Sequence, residues 1–177
     1  MYPVFVPAWR LGLCGQMPWN GTIAKPDSQF KTMKKESKSI YPTAESRVKV
    51  RYAETDQMGV AYYANYLVWF EVGRSQYCND RGFSYRDMER ESGLFLIVAE
   101  ASCRYKNPAR YEDELIIRTT ITELTRRTLR FRYSIEREDG AAVATGETLH
   151  VLINAEGRPS SLSPKYLALL QQNKGSG

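Results

Sequence analysis

The stretch RYAETDQMGVAYYANYLVWFE, residues 51–71, changes its hydrophobic period part-way through and carries Asp56 at the point of change. Leading into it, RVKVRY (residues 47–52) alternates polar and apolar side chains, the two-residue period of a strand. Beyond it, NYLVWFEVGRSQY (residues 65–77) brings Tyr66, Trp69, Phe70, Gly73 and Tyr77 together at helical spacing. The segment therefore predicts a strand, a turn holding one carboxylate and one glycine (Gly59), and a helix entered through two adjacent tyrosines, Tyr62 and Tyr63.

At 177 residues, with 42% hydrophobic and 25% charged side chains, the chain has room for one globular domain and a tail. A net charge of +5 favours an anionic partner, but 20 acids interleave with 25 bases and no long basic run occurs. No nucleic-acid-binding motif is present, so nucleic acid is not an expected partner. Cys14, Cys78 and Cys103 have no metal-ligand spacing, and their odd number argues against a disulfide framework. A reducing cytoplasm is the expected location.

The one histidine, His150, restricts the chemistry further. It lies in GETLHVLINAEG (residues 146–157), a strand pattern that sets Leu149, Val151 and Ile153 on one face and Thr148, His150 and Leu152 on the other. A structural or partly exposed strand histidine is the preferred reading. A histidine-rich metal site or a Ser-His-Asp triad would have to be built on this one residue. Any enzyme here is expected to run on carboxylates, backbone donors and a helix dipole.

Residues 1–45 contrast with the rest. MYPVFVPAWRLGLCGQMPWNGTIAKPDSQ has four prolines, several glycines and no sustained period, which predicts a disordered or loosely attached extension. Its apolar runs are broken by Pro3, Pro7 and Arg10 and lack a preceding basic region, so neither a signal peptide nor a spanning helix is expected. Met33 is a natural start for a cytoplasmic chain, and residues 1–32 are open to being a start-site artefact. A domain over residues 46–172 and a flexible end over 173–177 complete the expected organisation.

Within that domain the pattern predicts a first strand (RVKVRYAE), a helix from Asn65 to Asp80 that is buried nearly all round, as if enclosed by a sheet, and a short polar helix, SYRDMERES, with Ser84 as its N-cap. LFLIVAEASCRY (94–105) reads as a strand covered on both faces. ELIIRTTITEL and LRFRYSIERE follow; the second alternates Leu129, Phe131, Tyr133 and Ile135 with Arg130, Arg132, Ser134 and Glu136. A hairpin at residues 138–140 leads to AAVATGETLHVLIN, and SPKYLALLQQ closes as a helix. The expected fold is α+β: an antiparallel sheet of about five strands wrapped around one long central helix, with outward groups that favour self-association.

The opening stretch, together with YKNPARYEDEL (105–115) and TELTRRTLRFRYSIER (122–137), resembles the hotdog-fold acyl-CoA thioesterases of the 4-hydroxybenzoyl-CoA thioesterase type. The resemblance covers residue 46 to about 170. It implies that Asp56 attacks the thioester carbonyl or activates water for the attack, and that Gly59, where the chain turns, and Tyr63 bind the thioester, with the amide at Tyr63 facing the carbonyl oxygen. Unpaired amides and the dipole at a helix start stabilise an oxyanion. A thioester is already an activated acyl donor, so a carboxylate suffices. Many bacterial members carry histidine where this chain has Tyr63; tyrosine points toward the 4-hydroxybenzoyl-CoA type without fixing the substrate. A rival hotdog group uses a helix glutamate, but Glu71 has Arg74 within reach for pairing.

The resemblance also implies that Arg126 and Arg127 hold coenzyme A phosphates, in this family often across a subunit boundary; guanidinium forks suit phosphate oxygens. A solvated hairpin end is the plainer alternative for this pair. Arg104 and Lys106 are weaker candidates, and Tyr105, Pro108 and Tyr111 read as packing residues. The expected protein is an acyl-CoA thioesterase needing no metal or cofactor, acting on a short-chain or aromatic acyl group, and assembled as a dimer or homotetramer. The alternative from another class is a non-catalytic acyl-CoA-binding module.

Overall fold

The computed structural model describes residues 41–172. The expected extension, up to residue 40, and the C-terminal end, from residue 173, lie outside the described residues, as do Cys14 and the start at Met33. Five strands, β1 (Thr43–Lys49), β2 (Leu94–Tyr105), β3 (Glu114–Leu124), β4 (Thr128–Arg137) and β5 (Ala142–Asn154), form one antiparallel sheet in the order β1-β3-β4-β5-β2. Helices α1 (Asn65–Asn79), α2 (Tyr85–Ser92) and α3 (Pro164–Gln171) complete it. This is the hotdog arrangement.

The first strand differs from expectation at both ends. It begins at Thr43, with Ala44 buried, so the sheet takes in the last three residues of the expected extension. It stops at Lys49, and residues Tyr52–Glu54 turn into a short 3-10 helix instead of continuing the strand. Glu54 causes the break: its carboxylate accepts the Arg51 N–H at 2.8 Å, which curls the chain back on itself.

Helix α1 lies on one face of the sheet. Phe70 stacks on Tyr133 of β4 with centroids 4.3 Å apart, and Tyr77 meets Phe131 edge-on at 5.5 Å. The alternation read for β4 holds, with Leu129, Phe131, Tyr133 and Ile135 all buried. Ser84 caps α2 as expected, accepting the Asp87 N–H at 3.1 Å while the Asp87 carboxylate returns to Ser84.

Two burial expectations fail together. Helix α1 is not enclosed: Leu67, Val68 and Val72 are 41%, 49% and 38% exposed. Strand β2 is not covered on both faces either, because it is a sheet edge with Phe95, Ile97 and Val98 exposed. A single chain has no second layer to cover these groups, so continuous apolarity here marks an uncovered surface. Among the described residues no helix is long and apolar enough to cross a membrane.

His150 faces the core with Thr148 and Leu152. Its Nε2 lies 2.8 Å from Thr148 Oγ1, which is 2.7 Å from the Tyr133 hydroxyl. Burial, with the Arg74 guanidinium nearby, pushes the imidazole pKa down to about 4. The histidine is structural.

Candidate active site

The Asp56 loop closes by local hydrogen bonds. Asp56 N–H donates to Val60 O at 2.9 Å, Gly59 N–H returns to Asp56 O at 2.9 Å, and Met58 N–H donates to Asp56 Oδ1 at 2.8 Å. Gly59 has φ 71°, a left-handed conformation that strains any side chain and that glycine adopts freely. Its N–H is spent inside the turn, so Gly59 shapes the loop and, contrary to the expectation that it binds the thioester beside Tyr63, has no free amide to offer a carbonyl oxygen. The half-buried Asp56 keeps one carboxylate oxygen, Oδ2, outside these bonds.

The chain then enters α1. Ala61 N–H donates to Ala109 O and Tyr62 N–H to Glu54 O, each at 2.8 Å, which lays the entry segment against the β2–β3 connection. Among the described residues neither Tyr63 N–H nor Ala64 N–H donates a hydrogen bond. They stand at the positive end of the α1 dipole. The Tyr63 carbonyl is held separately, accepting the Tyr105 hydroxyl at 3.1 Å. Burial raises the Tyr105 phenol to about 12, so it remains a donor. Tyr63 itself is 61% exposed, and with Tyr62 (4.4 Å between ring centroids) it forms an aromatic rim beside the loop.

Glu54 was not singled out from the sequence, where a glutamate between an alanine and a threonine has no distinguishing pattern. It is 6% exposed. Burial opposes its charge, but hydrogen bonds from Arg51 and the Trp69 indole prevail and hold its pKa below the usual carboxylate value.

Glu71 stands apart from this cluster, exposed on the outer side of α1, and the expected ion pair with Arg74 does not form. Arg74 turns inward instead, toward Tyr133 and His150. Arg126 and Arg127 are exposed in the β3–β4 hairpin, with no ion-pair partner among the described residues. They do not meet Asp56 within one chain. Lys49 pairs with Glu114 at one end of β3, the end followed by the Asp56 loop, whereas Leu124 pairs with Leu129 at the other. The eleven residues of β3 separate the two ends by about 35 Å. A cavity of about 490 Å³ opens beside Arg126, lined by Leu162, Pro164, Leu167 and Gln171.

A family description, the thioesterase-like superfamily, matches residues 50–170, spanning the Asp56 loop, α1 and every strand after β1. The chain belongs to the thioesterase-like superfamily. Among its relatives, YneP of Bacillus subtilis is 36% identical over 113 residues, covering 64% of this chain and 81% of its own. The acyl-CoA thioester hydrolase YbgC of Escherichia coli is 30% identical over 120 residues, 68% of this chain and 86% of YbgC. The crystal structure of DHNA-CoA thioesterase from Staphylococcus aureus superposes on this chain with a TM-score of 0.69 at 33% identity, over 72% of this chain and 87% of that one. The 4-hydroxybenzoyl CoA thioesterase of Pseudomonas sp. strain CBS-3 shares the fold, with a TM-score of 0.66 at 22% identity over 72% of this chain and 98% of its own.

Proposed function

We propose that the protein hydrolyses acyl-CoA thioesters to the free acid and coenzyme A, with Asp56 as nucleophile or general base and the Tyr63 amide as oxyanion donor. The observation that carries this reading is the juxtaposition of a carboxylate on a tight turn with an uncommitted N–H at a helix start. As nucleophile, Asp56 bonds to the thioester carbon and the carbonyl electron pair moves onto oxygen, beside Tyr63 N–H. The pair returns as the C–S bond breaks, coenzyme A leaves as thiolate, and water hydrolyses the mixed anhydride. As base, Asp56 takes a proton from water, hydroxide adds to the same carbon, and the departing thiolate receives the proton. The naming of YbgC and of the Staphylococcus aureus protein for acyl-CoA and DHNA-CoA hydrolysis supports the substrate class. The exposed Tyr62–Tyr63 rim suits an aromatic or short acyl group.

The functional unit is a homo-oligomer. Strand β2 offers an unpaired edge of twelve residues beside the apolar outer side of α1. Antiparallel pairing of two β2 edges about a two-fold axis reverses the partner, so the partner's hairpin end comes to the end that holds Asp56. Arg126 of the partner subunit lies two to three strands in from its β2, roughly 10–15 Å from the joint at about 5 Å per strand. Unpaired arginines there serve coenzyme A phosphates, which neither subunit could reach with its own Asp56.

The deciding experiment is Asp56→Asn, assayed by chromatographic separation of released coenzyme A over a panel of acyl-CoAs. Turnover falls roughly a hundredfold or more while binding of a coenzyme A ester persists. Near-parental turnover removes Asp56 from the chemistry. Binding with no turnover in the parent protein points to the non-catalytic module.

A further inference from the structure

The Asp56 loop is fastened to α1 through a buried acid two residues upstream. Three donors converge on the Glu54 carboxylate: Arg51 N–H on Oε2 at 2.8 Å, the Arg51 guanidinium on Oε1 at 2.9 Å, and the Trp69 indole N–H on Oε1 at 3.4 Å. An ionised carboxylate only accepts, which is what three converging donors require. The Glu54 carbonyl accepts two more bonds, from Tyr62 N–H at 2.8 Å and from Asn65 Nδ2 at 2.7 Å. One residue thus grips both early turns of α1 through Asn65 and Trp69, and the entry segment through Tyr62.

The contacts run on from Trp69. Its ring packs on Tyr66 at 4.8 Å, Tyr66 meets Tyr105 edge-on at 4.8 Å, and the Tyr105 hydroxyl holds Tyr63 O. Glu54 stands where this chain of contacts returns to the Asp56 loop, so the carboxylate side and the amide side of the site share one frame. Stability alone is a weak reason for burying an acid there, since desolvation offsets much of what an ion pair gains and the Arg51 side chain is 75% exposed.

We infer that Glu54 is a positioning residue for thioester hydrolysis, fixing Asp56 relative to the Tyr63 amide without touching substrate. This rests on the Asp56–Tyr63 reading above. A misalignment of about 1 Å at a reacting centre can cost a hundredfold in rate, and the loss falls on turnover, because the groups proposed to anchor coenzyme A lie elsewhere.

The test is Glu54→Gln, which puts an NH₂ group among donors. The expected result is a kcat lowered about 10- to 100-fold with KM within about twofold of the parent and a retained cooperative melt. In an Asp56→Asn background the same change lowers kcat less than about threefold, since the group being positioned is gone. Should Glu54→Gln fail to fold, Asn65→Ala decides: it removes only one of the two bonds to the Glu54 carbonyl and lowers kcat about 3- to 10-fold at unchanged KM. Parental kcat in Glu54→Gln, or in Asn65→Ala where that variant decides, overturns the inference while an inactive Asp56→Asn leaves the catalytic reading standing. A raised KM at parental kcat overturns it likewise. An active Asp56→Asn overturns the catalytic reading and this inference with it.

Discussion

Replacing Gly146 with alanine sets two effects of opposite sign against each other. Gly146 lies on the core-facing side of β5, paired with Cys103 of β2 and Tyr133 of β4. Alanine restricts the unfolded chain, which by itself stabilises by about 0.4–1 kcal/mol. The added Cβ, however, falls 2.4 Å from Phe70 Cε2, 2.5 Å from Phe70 Cζ and 2.4 Å from the Ser102 carbonyl oxygen. An ordinary contact needs about 3.4 Å or more, so roughly 1 Å must be found. Neither neighbour gives easily: Phe70 is fully buried and stacked on Tyr133, and Ser102 O belongs to backbone in the adjoining strand. Overpacking costs about 1–3 kcal/mol, and two stiff neighbours put this site at the upper end. The net effect is a loss of about 2 kcal/mol, or a fall in Tm of about 7 °C for a domain of this size. Because relief requires α1 to lift at Phe70, its N-terminal end shifts as well, and kcat falls with stability. Thermal and urea unfolding read the first effect and coenzyme A release the second. A Tm equal to or above the parent's refutes the packing argument.

Acid should weaken the fold through His150: its pKa is about 4 folded and near 6.5 unfolded, so the unfolded chain binds the extra proton and stability is lost as pH falls from about 6.5 to 4. The full loss is about 3 kcal/mol; the slope of Tm against pH over that window should flatten in His150→Gln, and an unchanged slope assigns it to other groups. Replacing Arg126 and Arg127 together with alanine should raise KM for an acyl-CoA with a smaller effect on kcat, fade with salt, and spare an acyl-pantetheine thioester; equal loss with both substrates means the arginines support the fold or an interface. Val98→Lys should place a charge on the free β2 edge, shift sedimentation toward monomer, and lower activity in parallel; a monomer of parental activity refutes the shared site.

Residues 65–77 announce α1 because helical spacing is a local property, and the alternation in residues 129–135 announces β4 for the same reason. The Asp-x-x-Gly turn before Tyr62 and Tyr63 located the candidate carboxylate by chain neighbours alone, since the loop is closed by bonds between residues 56 and 60. What short-range pattern does not contain is which strand lies at an edge. The apolar run at residues 94–98 is the same string of letters in a covered strand and in an edge strand; only the sheet order leaves β2 uncovered in a single chain. Direction across the sheet is equally invisible: Arg126 and Asp56 share a resembled site, yet antiparallel register sets them at opposite ends of one subunit. Arg74, one turn from Glu71, turned inward toward Tyr133 and His150 on strands far along the chain. Glu54 is the sharpest case. Its type and spacing are unremarkable, and its weight comes from Trp69, fifteen residues on, and from Asn65, brought against it only when α1 docks on the sheet. Sequence determines the local conformations because their energies depend on near neighbours; the tertiary structure decides burial, sheet edge and charge environment because those depend on which distant residues exclude water from a given atom.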